Sequence, residues 1–250
     1  MPLKKSAWLV AAACISLTAA SGSARAEDKP SIEPRAERIL KAAVENLVAH
    51  KSFMFRGAVT TESALRVGQR IEYNGTVQAA VRRPDRVWVK NDGETARGSN
   101  WYDGKSLTHL DLDNNAYASW QAPSNNDELF EKMKEKLGFV LPLSPLMRSD
   151  LDKEIFKKIQ TGFYVGETVV NGNTCSHLAF SQENIDWQLW VDTVVPVIRR
   201  VAITYKKQPG APQYAVTFTS WDFNVMLPDS VFTFEPPPGA MRAEFEIVKQ

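Results

Sequence analysis

From Phe53 onward the chain alternates apolar and polar side chains with a period of two, in runs too closely spaced to leave room for helices between them. The runs at 53–62, 72–82, 86–91, 99–102, 106–111 and 116–121 read as strands. Asn74-Gly75, Asp92-Gly93, Asp103-Gly104 and Asn171-Gly172 read as hairpin signals. Parallel neighbours need a crossover of about a dozen residues or more, so the first half is expected to be an antiparallel meander. A second set at 163–170, 174–181, 186–192, 197–207, 213–223 and 243–248 brings the count to eleven or twelve strands. Val201, Ile203 and Tyr205 alternate with Arg200, Thr204 and Lys206, which gives the sheet one dry and one wet face. So many strands do not make a flat open sheet, and a strongly curled one is expected.

Three segments break the pattern. Residues 31–50 place Ala36, Ile39, Leu40, Ala43, Val44 and Leu47 at three- and four-residue steps, predicting a helix with one buried face, capped near Ser31 and carrying Pro34 in its first turn. Residues 126–139 predict a second helix, with Asp127 and Glu128 at its start and Lys132, Lys134 and Lys136 later, as the helix dipole favours. Residues 149–160 predict a third, short helix. Between the last two runs Leu141-Pro-Leu-Ser-Pro-Leu-Met147, whose prolines exclude a regular strand or helix interior while its apolar side chains demand burial. It reads as a loop packed on the core or as an apolar lid over a cavity.

The chain opens with Lys4 and Lys5, an apolar run from Ala7 to Ala20, and Ala24-Arg25-Ala26, the three parts of a secretory signal cleaved before Glu27. The run has 14 residues, against the roughly 20 of a membrane-spanning helix. The expected organisation is a leader at 1–26 and one domain at 27–250. Losing Lys4, Lys5 and Arg25 takes 30 basic side chains to 27, against 29 acidic ones, so no nucleic-acid partner is implied. Cys175 is then the lone cysteine, which excludes a structural disulfide within the exported chain. Cys14, after three alanines, leaves open a membrane-tethered lipoprotein. Against it stand Ala11, where leucine is usual, and the apolar run that continues towards the later cleavage site.

No chemistry announces itself. His50, His109 and His177 have no metal-ligand spacing around them. Asp111-Leu-Asp113-Asn-Asn115 begins like a calcium loop but has Ala116 where glycine is needed and Ala122 where glutamate is needed, so a hairpin turn explains it better. No nucleophile elbow, phosphate loop or dinucleotide fingerprint occurs. Neither a cofactor, a metal nor an enzyme activity is expected. Six tryptophans lie beyond the leader; Trp187 and Trp190, three apart on one strand, must face opposite sides of the sheet.

Asp186-Trp-Gln-Leu-Trp-Val-Asp192, Val195-Pro196 and Arg199-Arg-Val-Ala-Ile-Thr-Tyr205 resemble the strand-turn-strand of the LolA/LolB-like superfamily of periplasmic lipoprotein carriers. The ending Pro228-Asp-Ser-Val-Phe-Thr-Phe-Glu-Pro-Pro-Pro-Gly-Ala240 is similar to that superfamily's close, and in detail the chain looks closest to a family of predicted periplasmic proteins without assigned activity. The resemblance implies a mainly β chain with flanking helices (α+β): a strongly curved antiparallel half-barrel closed by two or three helices over an apolar cavity. Its expected occupant is a lipid or an acylated protein, with an envelope protein partner and transient membrane contact as further expectations. An acyl chain of ~16 carbons gains on the order of 10 kcal/mol on leaving water, so apolar walls suffice without any motif. The candidate cavity residues are Phe55, Trp88, Trp101, Trp120, Leu143, Leu146, Met147, Trp187 and Trp190. The alternatives are an interaction or sensor module of the same fold, and an envelope-lipid enzyme using His177 or His109 with a nearby acid.

Overall fold

The computed structural model describes residues 31–65, 68–137 and 141–245. The expected leader, Cys14 with its alternative of a lipid anchor, and the last three residues of the expected 243–248 strand lie outside them.

Thirteen strands form one large, curved, unclosed sheet among the described residues. In chain order they are β1 (Ser31–Ile32), β2 (Ser52–Ala64), β3 (Arg70–Arg82), β4 (Arg86–Gly93), β5 (Arg97–Tyr102), β6 (Ser106–Asp111) and β7 (Ala116–Gln121). They continue as β8 (Thr161–Val170), β9 (Asn173–Ser181), β10 (Ile185–Asp192), β11 (Ile198–Tyr205), β12 (Gln213–Asp222) and β13 (Met241–Ala243). Two antiparallel meanders, β2 to β7 and β8 to β12, meet in the middle of the sheet where β12 pairs with β2. Both edges depart from the expected antiparallel order, because two short strands dock in parallel, β1 on β8 and β13 on β7.

The hairpin signals divide. Asn171 and Gly172 turn the β8–β9 hairpin with φ of 48° and 80°, the left-handed pair such a turn needs. Asn74-Gly75 lies instead inside β3, paired with β2. A Cβ on Gly75 would stand 2.8 Å from the Asp92 carbonyl oxygen and the Gly93 Cα. Glycine serves close strand approach there, not a turn. Gly57 does the same at the central seam, where a Cβ would meet Val216 at 2.6 Å beside the bulge between Phe218 and Ser220. Crowding and bulge together bend the sheet where the two meanders join.

Helix α1 (Pro34–Ala49) begins after β1 rather than at Ser31 and buries Ala36, Leu40, Ala43, Val44 and Leu47, the face its periodicity predicts. Arg35 lies 3.5 Å over the Tyr164 ring and the Glu33 carboxylate accepts the Tyr164 amide at 2.9 Å, which fixes the helix to β8. The second helix, α2 (Asn126–Lys132), is capped by the Asn125 side chain and continues as a wider π turn, Met133–Leu137. Two single-turn helices follow, α3 (Ser144–Met147) and α4 (Leu151–Glu154), the latter running into a 3₁₀ turn at Ile155–Lys158.

This topology places the helices. Strands β7 and β8, consecutive in the chain, lie near opposite edges of the sheet, so the segment joining them has to cross the whole concave face. Among its described residues Leu129, Met133, Leu141, Leu143, Leu146 and Met147 bury there with α1 in one core, together with the alternate side chains of the sheet: Phe53 and Phe55, Val77, Ala79 and Val81, Leu178 and Phe180, Trp187 and Leu189, Val216 and Phe218.

On the opposite, convex face the chain beyond β12 forms a strap. Leu227 and Phe232 pack on Ala80 beside Trp88, and Phe234 lies against Trp101 and Tyr117 at 5.1 and 5.0 Å.

Candidate functional site

The prolyl stretch of the crossing segment seats Leu141, Leu143, Leu146 and Met147 in the concave core. Arg83, at the end of β3, holds it there. Its guanidinium donates to the carbonyls of Leu146 at 2.9 Å and Arg148 at 2.7 Å on the crossing segment, and to those of Leu47 at 3.1 Å and His50 at 2.7 Å at the end of α1. Burial lowers its pKa to about 10, so it stays charged at neutral pH and its hydrogen bonds are charge-assisted.

Between the crossing segment, α1, β10 and β11 lies a cleft of about 110 Å³. Leu40, Val44, Leu143, Leu146, Ile198 and Val201 are typical of its wall, and among the described residues Gln182 is its single polar side chain besides the indole of Trp187. A cavity of roughly 150 Å³ accepts a molecule the size of benzene. The cleft as it stands therefore has no room for a long acyl chain, and Leu143 and Leu146 of the crossing segment form part of its wall.

Trp187 is 7 % exposed and stacks on Phe180 with ring centroids 4.3 Å apart. Its indole N–H has no hydrogen-bond partner among the described residues. Such a buried, unsatisfied donor costs about 1–3 kcal/mol.

A second cavity of about 600 Å³ lies on the other side of the crossing segment, over β2 to β5, and shares Pro142 and Leu143 with the first. Its wall is mixed. His109 meets Asn100 at 3.0 Å, Arg97 pairs with Asp113 at 2.7 Å, and Tyr73, Tyr214 and Asp92 complete it. Burial lowers the His109 pKa against a smaller opposing effect of Asp111, so its ring is neutral at pH 7. Burial, and then the neighbouring Tyr205, raise that of Tyr214. The arrangement offers an apolar compartment beside a larger, polar one, with Pro142 and Leu143 shared between them.

The candidate cavity residues divide between the two faces of the sheet. Leu143, Leu146 and Trp187 border the apolar cleft, and Leu143 and Met147 the polar cavity. Phe55 shares the concave core but lines neither, its ring packed on Phe218 at 5.4 Å and Trp221 at 5.1 Å. Trp120 packs on the same core from β7. Trp88, Trp101 and Trp190 do not join them. Each alternates with inward neighbours, Val87 and Val89, Asn100 and Tyr102, Leu189 and Val191, and so faces out. Trp88 and Trp101 sit beneath the strap, and Trp190 stacks on His177 at 4.2 Å with Arg200 on its ring. Arg83 and Gln182, which the site does use, carried no signal of their own in the sequence.

The sequence model of a family described as "Predicted periplasmic protein (DUF2092)" matches residues 36–246. The chain belongs to this family. No protein of curated function matches the chain. Among solved structures it is similar to the lipoprotein LppX of Mycobacterium tuberculosis, at 11 % identity and a TM-score of 0.47, over 78 % of this chain and 98 % of that one. It is also similar to a LolA superfamily protein of Nitrosomonas europaea, at 11 % identity and a TM-score of 0.39, over 80 % and 97 %. A third is the MucA/MucB complex of Pseudomonas aeruginosa, at 13 % identity and a TM-score of 0.42, over 80 % of this chain and 61 % of that one.

Proposed function

We propose that this protein binds or carries a lipid or lipidated molecule in the periplasm, held on the concave face of the half-barrel once the crossing segment lifts. The observation that carries the reading is the pairing of an almost wholly apolar cleft with a crossing segment that walls it with its own Leu143 and Leu146. Displacing that segment joins the cleft to the polar cavity behind Pro142 and Leu143. An amphiphile then has a dry place for its chain and a wet place for its headgroup. Dispersion and hydrophobic burial supply the affinity without any motif, since each buried methylene contributes ~0.8 kcal/mol.

Among the described residues His50 meets the Asn46 backbone carbonyl, His109 the Asn100 side-chain amide and His177 the Gln188 side-chain amide.

Native mass spectrometry of protein taken from periplasmic extract, followed by organic extraction, tests the proposal. We expect a 224-residue chain beginning at Glu27, with a discrete lipid adduct. A second reading, an envelope interaction module that transports nothing, draws on the small volume of the cleft. A bare mass that envelope lipids do not change, with a stoichiometric protein captured by crosslinking in the periplasm, would decide for it.

A further inference from the structure

We infer that the polar cavity is a binding site in its own right, for a neutral hydroxylated ligand of the saccharide class, and that Asn100 and His109 together hold one of its hydroxyls. This goes beyond the lipid-binding reading and does not depend on it, because the cavity of about 600 Å³ exists with the crossing segment in place. That volume falls within the roughly 300–1,000 Å³ of small-ligand sites.

Asn100 on β5 and His109 on β6 stand directly opposite each other in the sheet, and both line the cavity. The Asn100 Oδ1 lies 3.0 Å from His109 Nδ1. An amide oxygen accepts, so Nδ1 donates and carries the proton of the neutral ring. His109 Nε2 is left as an acceptor and Asn100 Nδ2 as a donor, on paired residues. Neither nitrogen has a hydrogen-bond partner among the described residues, and neither is among the sealed, unsatisfied atoms of the interior, so both open onto the cavity. A hydroxyl donates to the one and accepts from the other. Gly98 makes room for this pair, since a Cβ there would stand 3.0 Å from His109 Cε1. Asn100 is only 5 % exposed, so its amide gains more from a ligand than a solvated one would.

The charged groups of the wall are already engaged. Arg97 pairs with Asp113 at 2.7 Å. Asp111 accepts from the backbone amides of Asp113 and Asn114 at 2.9 and 3.1 Å and from the Asn114 side chain at 2.7 Å. Glu94 accepts from the Asn74 amide at 2.9 Å, and Asp92 is exposed, where water screens it. With one arginine against four carboxylates, the wall disfavours an anion. What it offers a ligand is uncharged: the amides of Asn91 and Asn100, the His109 ring, and the rings and hydroxyls of Tyr73 and Tyr214, which flank Thr61 of β2 on its two sides. A saccharide matches this set, with hydroxyls for the amides and the imidazole and C–H faces for the tyrosine rings.

The test is an NMR titration of the ¹⁵N-labelled mature protein at neutral pH, reading the histidine ring nitrogens and the asparagine side-chain amides. In the free protein His109 should carry its proton on Nδ1. Maltose, cellobiose, trehalose and sucrose are then added to about 50 mM, above the millimolar Kd of a ligand worth ~4 kcal/mol. At least one of the four should shift His109 Nε2 and the Asn100 amide together and leave the rings of His50 and His177 in place. Hyaluronan disaccharide, which carries a carboxylate, should bind at least about tenfold more weakly than that sugar. Asn100→Ala should weaken the sugar at least about tenfold. A His109 proton on Nε2, no response to any of the four sugars, or equal binding of the anionic disaccharide overturns the inference, and each is read on the wild-type protein. A folded Asn100→Ala variant with unchanged affinity overturns it as well. The lipid-binding reading stands or falls separately, on the adduct seen by native mass spectrometry.

Discussion

The Arg83 guanidinium holds the carbonyl oxygen of Leu146 at 2.9 Å, across 63 residues of chain, while the same group lies 4.8 Å over the Phe53 ring. One side chain thus ties the end of α1, the inner wall of the sheet and the crossing segment. Arg83→Ala removes hydrogen bonds to four backbone carbonyls at once. The expected loss is about 2–4 kcal/mol, read as a fall of roughly 5–15 °C in Tm. Arg83→Lys should recover little of it, because a compact ammonium does not span partners on two segments. Hydrogen exchange at Leu146 and Met147 should accelerate in both variants, because the Arg83 guanidinium no longer ties this stretch to α1.

The division of the tryptophans gives a paired test. Leu143→Asp places a carboxylate where the cleft and the polar cavity meet and should weaken binding of a fluorescent fatty acid at least about tenfold. Trp190→Ala removes a ring of similar apparent promise that stacks on His177 and under Arg200 on the convex face. It should lower stability by about 1–3 kcal/mol and leave fatty-acid affinity within about twofold. Equal weakening by both would show that the cleft is not the binding site.

Asp192, at the end of β10, has a side chain only 7 % exposed and accepts from the Val194 amide at 2.9 Å and from Arg199 at 3.0 and 2.7 Å. Burial alone would raise its pKa, but these bonds outweigh it and hold the carboxyl below its usual range. Its folded pKa being depressed, the stabilisation is complete above the unfolded value of about 4 and is lost as pH falls through the folded one. Asp192→Asn should therefore cost about 2–3 kcal/mol at pH 7. Urea denaturation should show the gap to wild type narrowing below about pH 4, where the wild-type carboxylate takes up its proton.

Strand positions were legible because alternation is imposed by the pleat, and β6 and β7 coincide with the runs at 106–111 and 116–121. Trp88 between Val87 and Val89 shows the same rule in a stricter use, since a residue flanked by two inward side chains faces out whatever its size. Asn74-Gly75 misled because glycine answers two different needs, a left-handed turn and the close approach of a neighbouring strand, and composition does not separate them. The crossing segment was visible as an apolar prolyl stretch. Its anchor was not, because every hydrogen-bond partner of the Arg83 guanidinium is a backbone carbonyl 33 to 65 residues away, and a carbonyl has no residue type. The orphan indole of Trp187 was hidden for a related reason, since satisfaction of a donor is a property of its surroundings.

The strap accounts for the aromatic ending of the chain, and it separates stability from binding. Phe232 is fully buried with Ala80 and Leu227, on the face of the sheet opposite the cleft. Arg82 secures the approach by donating to the Leu227 carbonyl at 2.7 Å and pairing with Asp229. Phe232→Ala should cost about 3–5 kcal/mol, the range for emptying a closed aromatic site. Phe234→Ala, at a half-buried ring between Trp101 and Tyr117, should cost about 1–2 kcal/mol. Measured at a temperature where both variants remain folded, lipid affinity should match wild type, because the sheet stands between the strap and the cleft. A strap variant that lost binding in proportion to stability would mean that the curvature of the concave face depends on what is packed behind it.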